Sequence, residues 1–220
     1  MSGVRVVPFR TPEERARSVG SVAGHLHAGG LVAYPTETVY GFGCLLRREA
    51  LARLAALKER DERKPFLLLV RSAADVDGAT WTDSARRLAE AFWPGPLTLA
   101  LAARPGRYPP AVVGPEGTVA VRSSPHPAVR DLLSALGEPL TSTSANRRGE
   151  PSALDAETAR RAAEALGAGE ELLVLDGGTL PASPPSTLVD ASLATPRILR
   201  RGALSVDTLR AVLPEIDDGA

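Results

Sequence analysis

The run "YPTETVYGFG", Tyr34 to Gly43, ends one kind of structure and begins another. It closes an apolar segment, Leu31 to Tyr34, that reads as a buried strand, and Pro35 breaks that strand before Thr36, Glu37 and Thr38. In an open α/β sheet ligands sit at the carboxyl ends of strands, where hydroxyls and a carboxylate can orient a small polar molecule. Gly41 and Gly43 then allow a tight turn or a close backbone approach. Taken alone, the stretch reads first as an ordinary polar exit from a strand.

Outward from this run, helical and strand patterns alternate. On the amino-terminal side, Thr11-Pro12-Glu13-Glu14 is a helix start, with Thr11 as cap, Pro12 in the first helical position and Glu14 completing a capping box. That helix is predicted to run to about His27 and end at Gly29-Gly30. On the other side, Arg48 to Lys58 has helical spacing, and "KERDERKP", Lys58 to Pro65, is a charge-dense loop leading into an apolar strand, Phe66 to Val70. Asp83 is expected to cap a helix through Phe92. Leu97 to Ala103 and Thr118 to Arg122 read as strands separated by a Pro- and Gly-rich loop, Arg104 to Glu116. Pro127 to Leu136 is a helix that Gly137 ends, and a short strand near Leu140 precedes "TSTSANRRGEPS", Thr141 to Ser152, which reads as loop. A helix over Asp155 to Leu166, a strand over Leu172 to Leu175, a loop to Pro185, strands "STLVD" and "RILR", and a helix from Val206 to Leu213 complete the chain. This is the pattern of one α/β domain with a mixed sheet, residues 10–213, with 1–9 and 214–220 as terminal extensions.

The 220 residues, 44% hydrophobic, can bury a sizeable core. Lys plus Arg equals Asp plus Glu at 26 each, so an anion site has to come from local clustering of charge. The single Cys44 has no disulfide partner in the chain and no signal segment opens it, from which a cytoplasmic protein is expected. No run of about 18 apolar residues predicts a membrane span.

Three loops share one chemistry. Lys58, Arg60, Arg63 and Lys64 form a cationic arm suited to phosphate oxygens, or a solvated charge run. "STSAN", Ser142 to Asn146, offers uncharged donors and backbone amides to phosphate, ribose or carboxylate oxygens, or a turn that satisfies itself. Arg122 and Arg200 end strands, and Ser186-Thr187 opens another. Glycine-rich nucleotide loops, an HExxH and zinc spacings are missing from the sequence. No Ser is paired by motif with His and Asp, and His25, His27 and His126 are not read as catalytic. What remains is catalysis by positioning and electrostatic stabilisation, as in nucleotidyl transfer.

"YPTETVYGFG", "KERDERKP", "TVAVR", "STSANRRGEPS", "STLVD" and "ILRRG" resemble, in order and spacing, the motifs of the threonylcarbamoyl-AMP synthase family, also called YrdC-like, over roughly residues 10 to 210. The resemblance implies a twisted mixed sheet flanked by helices with an open, positively lined cavity, in the short form without an extra carboxy-terminal domain. It implies an enzyme that joins L-threonine, bicarbonate and ATP into L-threonylcarbamoyladenylate and pyrophosphate for N6-threonylcarbamoyladenosine modification of tRNA, with a tRNA-modifying transferase complex downstream and weak tRNA or RNA binding. By the same resemblance Thr36, Arg122, Ser142 and Ser186 fall at threonine-binding positions. Lys58, Arg60, Lys64, Thr118, Ser144, Asn146, Ser152 and Arg200 fall at ATP-binding positions, with Lys58, Arg60 and Lys64 the most critical. Mg²⁺ is expected on the ATP phosphates and water, with no metal site in the protein and no covalent catalytic residue. A histidine found in some relatives is replaced by Leu69, and Asp61-Glu62-Arg63 lengthens the basic motif, leaving Arg60 against Arg63 open. Alternatives are a non-catalytic RNA-binding relative active in ribosome maturation and a paralogue making another carbamoyl-adenylate.

Overall fold

The computed structural model describes residues 3–59 and 64–219. Apart from short 3₁₀ turns, the elements in chain order are β1 (Arg5–Pro8), α1 (Pro12–His27), β2 (Leu31–Pro35), β3 (Tyr40–Gly43), α2 (Arg48–Leu57), β4 (Leu67–Leu69), β5 (Ala79–Thr80), α3 (Asp83–Phe92), β6 (Leu97–Ala103), β7 (Thr118–Arg122), α4 (Pro127–Leu136), β8 (Leu140–Ser144), α5 (Ala156–Ala165), β9 (Leu172–Asp176), β10 (Thr187–Asp190), β11 (Arg197–Arg200) and α6 (Val206–Val212). They form the α/β architecture that the alternating pattern predicts. Described residues gather into two compact units, one from Met1–Asp61 with His126–Ala182 and the other from Glu62–Pro125 with Ser183–Ala220. No described helix is long and apolar enough to cross a membrane.

In the first unit the strands run in the order β1-β9-β2-β3-β8. β9 pairs parallel with both β1 and β2, while β3 is antiparallel to β2 and to β8. Every residue of β2 is buried, so both faces of the sheet are covered there. α1 and α4 pack together and against β2, and α5 packs on β9 and β2. α1 begins where the sequence predicts: Thr11 accepts from the Glu14 amide and Glu14 reaches back to the cap backbone. α4 is capped by His126, whose Nδ1 accepts from the Ala128 amide, and stopped by Gly137 at φ 69°. Arg15 Nε donates to Asp131 Oδ2 at 2.6 Å and joins the two helices.

The second unit orders its strands β4-β7-β6-β10-β11, with β5 beside β6. β4/β7 and β6/β10 are parallel; β6/β7, β5/β6 and β10/β11 are antiparallel. α3 packs on β6 and on α6. Its cap is Thr82, which accepts from the Ala85 amide, and Asp83 lies inside the first turn rather than capping it. A Thr one residue upstream serves because its backbone is extended, at φ −80° and ψ 163°, whereas Asp83 is already helical.

Two stretches expected to be loop are strand. Tyr40–Gly43 is β3, and Thr141–Ser144 extends β8. The cause is a close approach of two backbones. A Cβ placed on Gly43 would stand 2.1 Å from the Thr141 carbonyl oxygen, and one on Gly41 would stand 2.9 Å from Ser142 Oγ. Glycine is therefore required for packing here and not for a turn. The polar residues of β8 find strand partners: Thr141 Oγ1 donates to Cys44 O at 2.9 Å, and the Cys44 amide donates back at 2.8 Å. Gly43→Ala is predicted to cost about 1–3 kcal/mol, because a backbone carbonyl cannot yield as a side chain can. Thermal denaturation should show the midpoint falling by roughly 2–10 °C; an unchanged midpoint would remove the close approach as the reason for glycine.

Candidate functional site

In the first unit, β2 and β3 form a hairpin whose connection is organised by one hydroxyl. Thr36 Oγ1 donates to Val39 O at 2.7 Å and accepts from the Thr38 and Val39 amides, each at 3.2 Å. It also lies 3.1 Å from Thr38 Oγ1. Thr36 is 1% exposed, so its side chain holds the turn in addition to being a candidate contact. Glu37, in the same turn, is close enough to raise the pKa of His126, but burial outweighs it and holds that imidazole below its usual value, with Arg15 adding to the lowering. Neutral His126 is the form that caps α4, since a protonated Nδ1 cannot accept from Ala128.

Ser142 is buried, its Oγ lying over the bare backbone of Gly41. Beyond it the strand end and the following loop are tied to α2 through Lys58. The ammonium donates to Ser144 O at 3.0 Å, to Asn146 Oδ1 at 3.0 Å and to Asn146 O, and lies 5.7 Å from the centre of the Phe42 ring. Ser144 Oγ donates to Asn146 Oδ1 at 2.6 Å, and Asn146 Nδ2 donates to Glu150 O at 2.6 Å. Ser152 is adjacent: the Ala153 amide donates to Ala145 O at 3.0 Å. Ser144 and Asn146 are thus brought together, with Lys58 as their clamp, and the Ala153–Ala145 bond brings the chain back to this loop one residue after Ser152. An ammonium has three protons, and here three loop oxygens accept them, so a phosphate reaching Lys58 would have to displace one.

In the second unit, β7 ends at Arg122, which is 4% exposed. Arg200, an exposed residue, ends β11, and its guanidinium folds back on the start of β10: Nη2 donates to Ser186 O at 2.9 Å and to Ser186 Oγ at 3.2 Å. Partial burial, and after it the like charge of Arg122, lower the Arg200 pKa. Neighbouring cations, one of them bonded to a serine hydroxyl, make a place where an anionic oxygen is favoured. Thr118 is not part of this cluster. It stands at the other end of five-residue β7, roughly 13 Å from Arg122 at about 3.3 Å per residue. Lys64 is exposed beside Pro65. Arg60 and Arg63, predicted on sequence to continue the basic arm, lie outside the described residues.

Sequence inspection missed Thr98, whose Oγ1 is 2.8 Å from Ser186 Oγ with both residues buried. One threonine in the apolar run "LTLALAA" carries no signal that its hydroxyl faces a serine 88 positions away.

The groups that could act as nucleophiles are quiet. Burial pushes the Cys44 thiol up to about 11 and the Tyr40 phenol up to about 12. Among the described residues, no group of three or more His, Cys, Asp or Glu could hold a metal ion. A cavity of about 300 Å³ in the first unit is lined by Val6, Arg10, Asp155, Glu157, Asp176 and Thr179 among others. It contains none of the residues singled out from sequence, and its carboxylates, one of them paired with Arg10, disfavour an anionic substrate. The chemistry available in the two polar clusters is therefore charge stabilisation and orientation.

A family profile named for Sua5, YciO and YrdC, and described as "Telomere recombination", matches residues 25–202. A threonylcarbamoyl-AMP synthase of Chromohalobacter salexigens is 42% identical over 196 residues, covering 86% of this chain and 100% of that protein. One of Thiobacillus denitrificans is 39% identical over 194 residues, covering 86% and 98%. Among solved structures, P. abyssi Sua5 complexed with L-threonine has a TM-score of 0.87 at 31% identity; it is matched by 96% of this chain, which spans 62% of its length. The crystal structure of E. coli YciO has a TM-score of 0.81 at 25% identity, covering 95% of this chain and 100% of that one.

Replacing Lys58 by Met keeps the length of the side chain and removes its charge, leaving loop oxygens without their donor. Lys58→Met is predicted to destabilise the protein by about 2 kcal/mol. Chemical denaturation checks this. Stability equal to wild type would mean that the ammonium is not what holds the Ser144–Asn146 segment.

Proposed function

This chain belongs to the Sua5/YciO/YrdC family, and from that premise we propose that it condenses L-threonine, bicarbonate and ATP into L-threonylcarbamoyladenylate and pyrophosphate. It is a nucleotidyltransferase, and its product serves threonylcarbamoyladenosine modification of tRNA. The observation that carries the reading from this chain's own residues is the Arg122, Ser186 and Arg200 cluster, whose charges and hydroxyl suit a small carboxylate beside a polyanion.

In the second unit, Arg122 takes the carboxylate of threonine, Ser186 contributes a hydroxyl to the same amino acid, and Arg200 with Thr118 and Lys64 acts on ATP. In the first unit, Thr36 and Ser142 address the amine and hydroxyl of threonine, and Ser144, Asn146 and Ser152 address the nucleotide. Lys58 acts on ATP by fixing that loop, and Arg60 continues the basic arm. The threonine amine adds to carbon dioxide with loss of a proton, or condenses with bicarbonate with loss of water, to give a carbamate. A carbamate oxygen then attacks the α-phosphorus of ATP, and pyrophosphate leaves. Mg²⁺, carried on the phosphates and water, supplies charge neutralisation. The protein contributes proximity, worth most when both reactants are held, and donors aimed at oxygens that gain charge. A cytoplasmic location, weak tRNA or RNA contact and hand-off to a tRNA-modifying transferase complex belong to the same proposal.

The test is turnover by the pure protein with ATP, Mg²⁺ and labelled bicarbonate, with and without L-threonine. The expected result is pyrophosphate release and label in an adenylate only when threonine and bicarbonate are both present. Release with another amine but not with threonine would transfer the mechanism to a different substrate. Folded protein without turnover would overturn the enzymatic reading and favour RNA binding instead.

A further inference from the structure

Ser186 accepts from Arg200, because a guanidinium has protons to give and no lone pair to receive with. Its other neighbour is Thr98, at 2.8 Å, where either oxygen can be the donor. Both residues are 3% exposed. Ser186 is the only hydrogen-bond partner of the Thr98 hydroxyl among the described residues. The Thr98 backbone is fixed within β6 by the parallel register that sets Thr98 beside Leu188 and Leu97 beside Thr187, so the hydroxyl cannot drift from β10.

A serine hydroxyl has one proton and accepts at two positions. If Ser186 spent its proton on Thr98, it would have none for a ligand, and the Thr98 proton would point at nothing. If Thr98 donates instead, Ser186 accepts from Arg200 and Thr98 together, and its own proton is left to be given away. The second arrangement satisfies every group once an acceptor arrives. We propose that Thr98 is a positioning residue that makes Ser186 a hydrogen-bond donor, directing it at an anionic oxygen of the amino-acid substrate. Ser186 then distinguishes a carboxylate from an ammonium, since only the former can accept.

This rests on the assignment of Ser186 to threonine, and the experiment separates the two. Steady-state constants for threonine and for ATP are measured on the full chain carrying Thr98→Val, which keeps the shape and loses the hydroxyl, Thr98→Ser, Ser186→Ala, and the Thr98→Val/Ser186→Ala pair. Thr98→Val is expected to raise KM for threonine about tenfold, the loss of one well-placed hydrogen bond to a charged group, with KM for ATP within about twofold. Thr98→Ser recovers most of that loss. In the Ser186→Ala background Thr98→Val adds little, because the proton it directs is gone. Thr98→Ala carries the same expectations should valine fail to pack. An unchanged threonine KM in Thr98→Val, a parallel rise in both KM values, or a full effect of Thr98→Val on top of Ser186→Ala overturns the role of Thr98. If Ser186→Ala itself leaves the threonine KM unchanged, the assignment of Ser186 is what fails, and the proposal falls with it.

Discussion

No side chain fits between β3 and β8 at Gly43, and much of the first unit follows from that. The Thr141 carbonyl occupies the space a Cβ would take, so any other residue at 43 would push the two strands apart. Once they pair, β3 lies antiparallel to β2, and the chain from Thr36 to Val39 must reverse direction within a few residues. The Thr36 hydroxyl is what makes that reversal stable, bonding both to a carbonyl and to amides of the turn. On the other flank the pairing carries β8 outward to Ser144, where Lys58 closes it over the loop. The glycines, the turn and the clamp are consequences of one backbone approach.

The second unit is governed by charge rather than by space. Partial burial lowers the Arg200 pKa at the end of β11, and the guanidinium of Arg122 at the end of β7 adds to that lowering. Two guanidinium groups in one neighbourhood attract an anion more strongly than either would alone. Ser186, fixed by Thr98 and Arg200, adds direction to that attraction. Attraction alone does not choose among anions, whereas a donor at a set angle does.

Much of the fold was legible because its signals are local. The capping box at Thr11, Pro127 followed ten residues on by Gly137, and the apolar limits of β6 all depend on near neighbours, and those boundaries agree with the structure. β3 and the polar part of β8 were not legible, since glycines and hydroxyls look like loop until the partner strand is known. β1 was missed for the same reason: four residues acquire a strand's identity from β9, far along the chain. In the candidate site, Arg122, Ser186 and Arg200 are gathered in one unit and Lys58, Ser144 and Asn146 in the other. That Lys58 binds loop oxygens could not be read from a run of cations, and neither could the pairing of Thr98 with Ser186.

In the proposed function, Arg122 and its neighbours recognise the carboxylate of an amino acid. Calorimetric titration with L-threonine and with L-threoninol, in which an alcohol replaces that carboxylate and the rest is kept, addresses it directly. Threonine is expected to bind, and threoninol to bind at least about tenfold more weakly, as follows from losing charge-assisted hydrogen bonds. Equal affinity for the two would contradict it, because the arginines would then contribute nothing to holding the substrate.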